Sequence, residues 1–243
     1  MPDDDVPVTG RHPRFAGKAD FSTIYDQPDP RAYYRALRPL DYCIPQQALP
    51  VLDRVVEASA RDGVPRTALD VCCSYGINGA LLRTDVTLDE LGRRYVALGD
   101  DVTPDEVAAG DRALLAGRAH SKPRTVYGLD AAPNAVAYAT RAGLVDDAWA
   151  ADLESGPVPS ALAAGLRDVS LIVCTGGVGY VGVPTFEKLA GLVGEPSDLW
   201  LAVFVLRVFD YNDIAAALAA GGLVTERVEG RTFRQRRFAD PGE

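Results

Sequence analysis

The chain has 243 residues, 47% of them hydrophobic and 24% charged, and a formal net charge of −9. That length and apolar fraction fit one large α/β domain with an extension. The acidic balance argues against a nucleic-acid partner, because a phosphate backbone is held by basic surface that displaces counterions.

Residues 1–20 are polar and rich in Asp, Pro and Gly, and read as a flexible tail that carries His12. From 21 to 62 the pattern is helical. "DPRAYYRALRPL" offers Asp29 as an N-cap and Pro30 at the first helical position, and "PQQALPVLDRVVEASA" reads as a second helix. This segment holds Tyr25, Tyr33, Tyr34 and Tyr42, which can pack on the core or face a ligand.

From 63 to 243 strands and helices alternate. The predicted strands are "TALDVC", "TVYGLD", "AWAAD", "VSLIVC" and "LWLAVFVLR". The helices are "INGALL", "APNAVAYATRAG", "VPTFEKLAGLV" and "YNDIAAALAAGG". "LVTERVEG" and "RTFRQRRF" read as a closing antiparallel hairpin, which makes seven strands. The order predicts a doubly wound, mostly parallel α/β sheet covered on both faces. Residues 84–122 interrupt the rhythm as a helical insertion, with capping boxes at Thr87-Leu-Asp-Glu90 and Thr103-Pro-Asp-Glu106.

The four cysteines, Cys43, Cys72, Cys73 and Cys174, have neither zinc-ligand spacing nor the layout of a disulfide framework. No metal is expected, and Cys72 and Cys73 read as small apolar fillers. The opening "MPDDDVPVTG" has no apolar run, and no stretch reaches the roughly 18 apolar residues that span a bilayer. The expectation is a cytoplasmic chain with reduced thiols and no membrane partner. "RTFRQRRF" reads as a charged strand protected against edge pairing.

In open α/β sheets, ligands bind beyond the carboxyl ends of the strands. Three consecutive predicted strands end in an acid there: Asp70, Asp130 and Asp152. A carboxylate at an apolar strand tip needs a partner, and the hydroxyls of a ribose diol donate well to one.

On "ALDVCCSYG", "VYGLDAAPNAVAYA", "AWAADLE" and "DVSLIVCTGGVGYVG" the chain resembles the class I S-adenosylmethionine-dependent methyltransferases over residues 65–240. The family's first motif reads D-x-G-x-G-x-G. Asp70 and Gly76 match it, while Cys72 and Ser74 replace two glycines, a path open to them if φ is negative. The resemblance implies S-adenosylmethionine as cofactor and S-adenosylhomocysteine as product. It implies contacts from Asp70, Cys72, Cys73, Ser74, Gly76, Asp130, Ala131, Ala151, Asp152, Leu153, Cys174 and Thr175, with Asp130 at the ribose and Asp152 near the adenine amino group. A nicotinamide enzyme would instead want G-x-G-x-x-G and its ribose acid about 20 residues on.

A small-molecule acceptor is expected over "CTGGVGYVG", walled by Tyr25, Tyr33, Tyr34, Tyr75 and Tyr180 under a lid at 21–62. Tyr180 and His120 are the candidate catalytic groups, with proximity-driven in-line transfer expected. Two alternatives stay open: a non-methylating use of the cofactor such as cyclisation, and a sensor or accessory without turnover.

Overall fold

The structure is a computed structural model that describes residues 22–60, 66–121, 124–193 and 198–239. The expected tail at 1–20 and the expected boundary at 62/63 lie outside the described residues.

Five parallel strands form one open sheet: β1 (Thr67–Val71), β2 (Val126–Asp130), β3 (Asp147–Ala150), β4 (Val169–Thr175) and β5 (Trp200–Phe204). Their spatial order is β3-β2-β1-β4-β5. The chain winds outward from β1 to one edge, then crosses to β4 and winds to the other. The order therefore reverses between β1 and β4, and a crevice opens there beyond the carboxyl ends of the strands.

Helices cover both faces, as two-sided burial of a parallel sheet requires. On one face α2 (Ile44–Ser59) sets Ala48, Leu52 and Val56 against Ala68, Val126, Leu171 and Val173. The same side carries α3 (Ile77–Arg83) and α6 (Pro133–Arg141). On the other face α7 (Ser160–Gly165), α8 (Val183–Ala190) and α9 (Asn212–Ala220) set Leu162, Phe186, Leu189, Ile214 and Leu218 against Leu69, Val71, Ile172 and Cys174. Helix α7 lies in a stretch for which the sequence offered no expectation.

The insertion folds as expected into α4 (Leu88–Ala97) and α5 (Pro104–Leu115). Thr103 and Glu106 close a reciprocal capping box. Thr87 forms only the forward half, accepting from the Glu90 N–H at 3.1 Å, because the Glu90 carboxylate turns to Arg118 instead. One buried acid is central to fixing the insertion to the sheet domain. Asp111, fully buried on α5, accepts from Tyr95 Oη of α4 at 2.6 Å, Tyr138 Oη of α6 at 2.5 Å and Arg94 Nε at 2.8 Å.

The N-terminal helix α1 (Arg31–Leu37) packs on α4. Its N-cap is Pro30, one residue later than expected, and the Asp29 carboxylate accepts from the Arg31 N–H at 3.0 Å. The expected C-terminal hairpin is not formed, so among the described residues the sheet has five strands rather than seven. Val224 and Val228 are 87% and 63% exposed, which leaves the first half of that segment no apolar face to bury. The second half spends its backbone groups elsewhere: Cys43 N–H donates to Gln235 O at 2.8 Å, and Arg237 N–H to Leu40 O at 2.6 Å.

Replacing Asp111 by alanine would strand two buried phenols and the Arg94 guanidinium. The expected loss is about 3–5 kcal/mol of unfolding free energy, checked by urea denaturation of the variant beside the wild-type chain. An unchanged midpoint would show that the insertion is held by its apolar contacts and its surface bonds to Arg141 without help from Asp111.

Candidate functional site

The crevice is built around the turn that joins β1 to α3. Cys72, Ser74 and Gly76 all have left-handed backbones, with φ of 59°, 49° and 80°. The condition of negative φ set for Cys72 and Ser74 is therefore not met, and both follow the path at positive φ. The glycine path is kept without two of its glycines, and each non-glycine residue held there costs about 1–3 kcal/mol.

Three contacts hold that path. Ser74 N–H donates to Asp130 Oδ2 at 2.8 Å, and Cys73 N–H to Leu129 O at 3.2 Å. The Cys72 thiol lies against Cys174, which sits across the switch point at the end of β4. The two sulfurs leave no room beside them: a Cβ added at Gly177 would lie 2.6 Å from Cys174 Sγ and 2.8 Å from Cys72 Sγ. The neighbouring Cys174, and then burial, push the Cys72 thiol well up, as burial does for Cys73, so neither is a ready nucleophile.

Asp70 lies beneath the turn with no solvent exposure. Asn78, in the first turn of α3, donates from Nδ2 to Asp70 Oδ1 at 2.9 Å and to Thr175 Oγ1 at 2.9 Å, tying β1 to β4. Asp70 Oδ2, Ser74 Oγ and Asn78 Oδ1 are buried without a hydrogen-bond partner. Such atoms are expensive to bury, and three of them around one turn fit a polar ligand. Burial raises the Asp70 pKa from 3.8 to about 7, opposed by Asn78 and assisted by the charge of Asp130.

Asp130 is half-buried at the tip of β2, with Ala131 exposed beside it. Its carboxylate also accepts from the Ala132 N–H at 3.0 Å, so it fixes the turn and the start of α6 together. Asp152 is exposed, and its oxygens accept from Glu154 N–H at 2.9 Å, Ser155 N–H at 3.3 Å and Ser155 Oγ at 2.5 Å. Asp152 thus shapes its own turn beyond β3. Ala151 N–H donates to Asp130 O at 2.9 Å, and Leu153 is buried under that turn.

The tyrosines divide. Tyr33, Tyr34 and Tyr75 are buried, which corrects the reading of them as an open wall. Tyr33 meets Tyr25, Tyr34, Tyr42 and Tyr75 edge-on at 5.3–5.9 Å between ring centres, and Tyr34 stacks on Tyr95 at 4.7 Å. The Tyr75 hydroxyl donates toward Ile24 O and Gln27 O and accepts from the Gln27 N–H, which ties the N-terminal segment to the turn. Tyr25 and Tyr42 face the crevice, where each lies within the field of Tyr180. Tyr42 also lies within the field of Asp70, and Tyr25 within that of Asp130. Burial pushes Tyr42 up to about 12 and Tyr25 higher still, so both are neutral proton donors at pH 7. Tyr180 is on the exposed side of the loop after β4.

His120 is not in the site. Its N–H donates to Arg83 O at 3.0 Å, at the far end of α3. That helix starts at the crevice and runs back along the strands for seven residues, roughly 10 Å. Residues missed from the sequence are Asn78 and Glu154, whose Oε2 accepts from Gly182 N–H at 2.9 Å and Thr185 Oγ1 at 2.8 Å. A polar residue in the otherwise apolar "INGALL" was the available signal for Asn78. Among the described residues, no group of three or more His, Cys, Asp or Glu could hold a metal ion, and no helix is long and apolar enough to cross a membrane. A cavity of about 920 Å³ lies between α1 and α4, lined by Tyr33 and Tyr34 and reaching Tyr42, Cys43 and Arg234.

No protein-family model matches the chain, and no curated protein matches it. Among solved structures it is similar to a TehB-like SAM-dependent methyltransferase from Corynebacterium glutamicum, at 16% identity over 69% of this chain and 69% of that one, with a TM-score of 0.41. A likeness at that level decides neither fold nor function.

The folded protein keeps a proton on Asp70 up to about pH 7, whereas the unfolded chain releases it near 3.8. The native state therefore binds more protons between those values, and the contribution of Asp70 to stability falls as pH rises through that window. Asp70→Asn should match the wild-type chain near pH 4 and exceed it at pH 8 by up to about 4 kcal/mol. Urea denaturation at a series of pH values reads the difference, and parallel curves would place the Asp70 pKa in the ordinary range.

Proposed function

We propose that this chain is an S-adenosylmethionine-dependent methyltransferase acting on a small-molecule acceptor. The observation that carries the reading is the turn Cys72–Gly76, left-handed at every second residue and bonded to a strand-tip carboxylate on β2, with unpartnered buried polar atoms around it. A strand–turn–helix that presents backbone N–H groups beside an acid suits a ligand with a ribose and a charged amino-acid end.

Asp130 is the residue for the ribose hydroxyls, since it stands at the mouth and two backbone N–H groups already orient its oxygens. Asp152 and Leu153 are the residues for the adenine side. Asp70, with one oxygen unpartnered, suits the ammonium of the ligand, which would hold the carboxylate ionised at neutral pH. When bound, the cofactor supplies a methyl group on a sulfonium, already activated for in-line displacement.

The chain's own part is then to bind, orient and exclude water. Cys174 and Thr175 close the floor at the end of β4, where a fully buried thiol and a hydroxyl held by Asn78 stay put. Tyr25, Tyr42 and Tyr180 wall the acceptor side, with Tyr25 and Tyr42 offering hydrogen-bond donors. With His120 at the opposite end of α3, no histidine among the described residues stands in the crevice to take a proton. The rate advantage is therefore assigned to orientation and to the exclusion of water.

Titration calorimetry should show S-adenosylhomocysteine binding at micromolar strength, about −8 kcal/mol. Asp130→Ala should weaken it by about 1.5–3 kcal/mol, the range for hydrogen bonds to a charged group. Absence of binding to the wild-type chain, or equal binding to the variant, would refute the cofactor assignment.

A further inference from the structure

The two sides of the crevice are closed in physically different ways. On the α6 side the N-terminal segment is bolted down. The buried Tyr75 hydroxyl bonds to Ile24 and Gln27, Asp26 Oδ1 accepts from Asn134 N–H at 2.7 Å, and the rings of Tyr25, Tyr33 and Tyr75 interlock. On the β4–β5 side the crevice is crossed by residues Phe233–Arg237. Phe233 meets Phe204 at the end of β5 edge-on at 5.1 Å. Gln235 Nε2 lies 3.0 Å from where a Cβ of Gly176 would be, in the loop just after β4. The far end reaches the turn Leu40–Cys43, beside the Tyr42 that faces the site. There it makes the two backbone bonds given above, and Cys43 Sγ contacts Arg234 O at 3.3 Å.

This crossing is held by little apolar burial. Its outer fastening is Arg237, whose Nε pairs with Asp41 Oδ2 at 3.0 Å and whose Nη2 donates to Pro39 O at 2.6 Å. Both side chains of the ion pair are at least half exposed. The approach to the crossing, residues 224–232, is exposed throughout and forms no helix or strand. Segments with few buried contacts and solvent-exposed backbone bonds are the ones that open locally.

We propose that Phe233–Arg237 is a gate over the β4–β5 side of the crevice, latched by Arg237 on Asp41, through which ligands exchange. The gate lifts from the turn Leu40–Cys43 while the N-terminal segment stays fixed. That small molecules pass beneath it rests on the methyltransferase reading; the latch itself does not.

Asp41→Asn tests the latch without disturbing the turn. Asp41 has a left-handed backbone, φ 52°, which asparagine tolerates well. In limited trypsin digestion of the full chain, cleavage after Arg234, Arg236 and Arg237 should run roughly two- to fivefold faster in Asp41→Asn, the span of an exposed ion pair. Cleavage elsewhere should not change. Raising the salt should speed the same cleavage in the wild-type chain and have little effect in the variant. Phe233→Ala should speed it too, with the wild-type dependence on salt.

Stopped-flow binding of S-adenosylhomocysteine should then show association and dissociation rates rising together in Asp41→Asn, with Kd unchanged. Strap cleavage unaffected by both variants would overturn the latch. A change in dissociation alone, with a shifted Kd, would make the strap a ligand contact and overturn the gate. Failure of S-adenosylhomocysteine to bind the wild-type chain would overturn the cofactor assignment and the gate's role toward that ligand, and the digestion result would still judge the latch.

Discussion

The site depends on a backbone path that its own residues resist. Between β1 and α3 the chain takes three left-handed steps in five residues, two of them at Cys72 and Ser74. Such a path persists only where the surroundings over-determine it. Here the restraints come from two neighbouring strands: Leu129 and Asp130 on β2, and Cys174 and Thr175 on β4, the latter through Asn78. The turn is thus an outcome of the assembled sheet rather than of local preference. Its effect is to aim N–H groups and the start of α3 into the crevice at the switch point.

Two fully buried acids show how the same residue type divides between structure and site. Asp111 has its charge met by a guanidinium and two phenols, and it bolts the insertion to α6. Asp70 has one amide donor on one oxygen and nothing on the other. A satisfied buried carboxylate rigidifies. A half-satisfied one is a standing cost that a ligand cation would relieve. The raised pKa of Asp70 is the electrostatic expression of that deficit.

Packing around the crevice follows a similar division. Tyr33 and Tyr34 anchor α1 into a cluster with Tyr75, Tyr95 and Tyr138, so the N-terminal segment shares one core with the insertion and α6. The C-terminal segment is held by an aromatic contact, bonds to the turn Leu40–Cys43 and an ion pair near the solvent. One flank belongs to the core and the other is laid on it afterwards. The cavity between α1 and α4 borders that segment, at Arg234 and the turn Asp41–Cys43.

The sequence by itself determined the α/β alternation, the parallel sheet, the helical insertion and the row of strand-tip acids. Each of these is written in local terms, as apolar runs of strand length, capping residues such as Thr103 with Glu106, or an acid closing an apolar run. It misjudged the C-terminal hairpin because alternation of Phe233, Gln235 and Arg237 with Arg234, Arg236 and Phe238 is equally compatible with an extended segment laid across a turn; which partner's backbone it meets is not a local property. It also could not assign the tyrosines, since Tyr33 in the core and Tyr25 at the crevice carry the same side chain within one short segment. The left-handed φ of Cys72 and Ser74, the bridging by Asn78 and the removal of His120 to the far end of α3 were decided by tertiary structure alone. Each depends on what lies opposite a residue across the sheet or along a helix, and that distance exists only once the strands have paired.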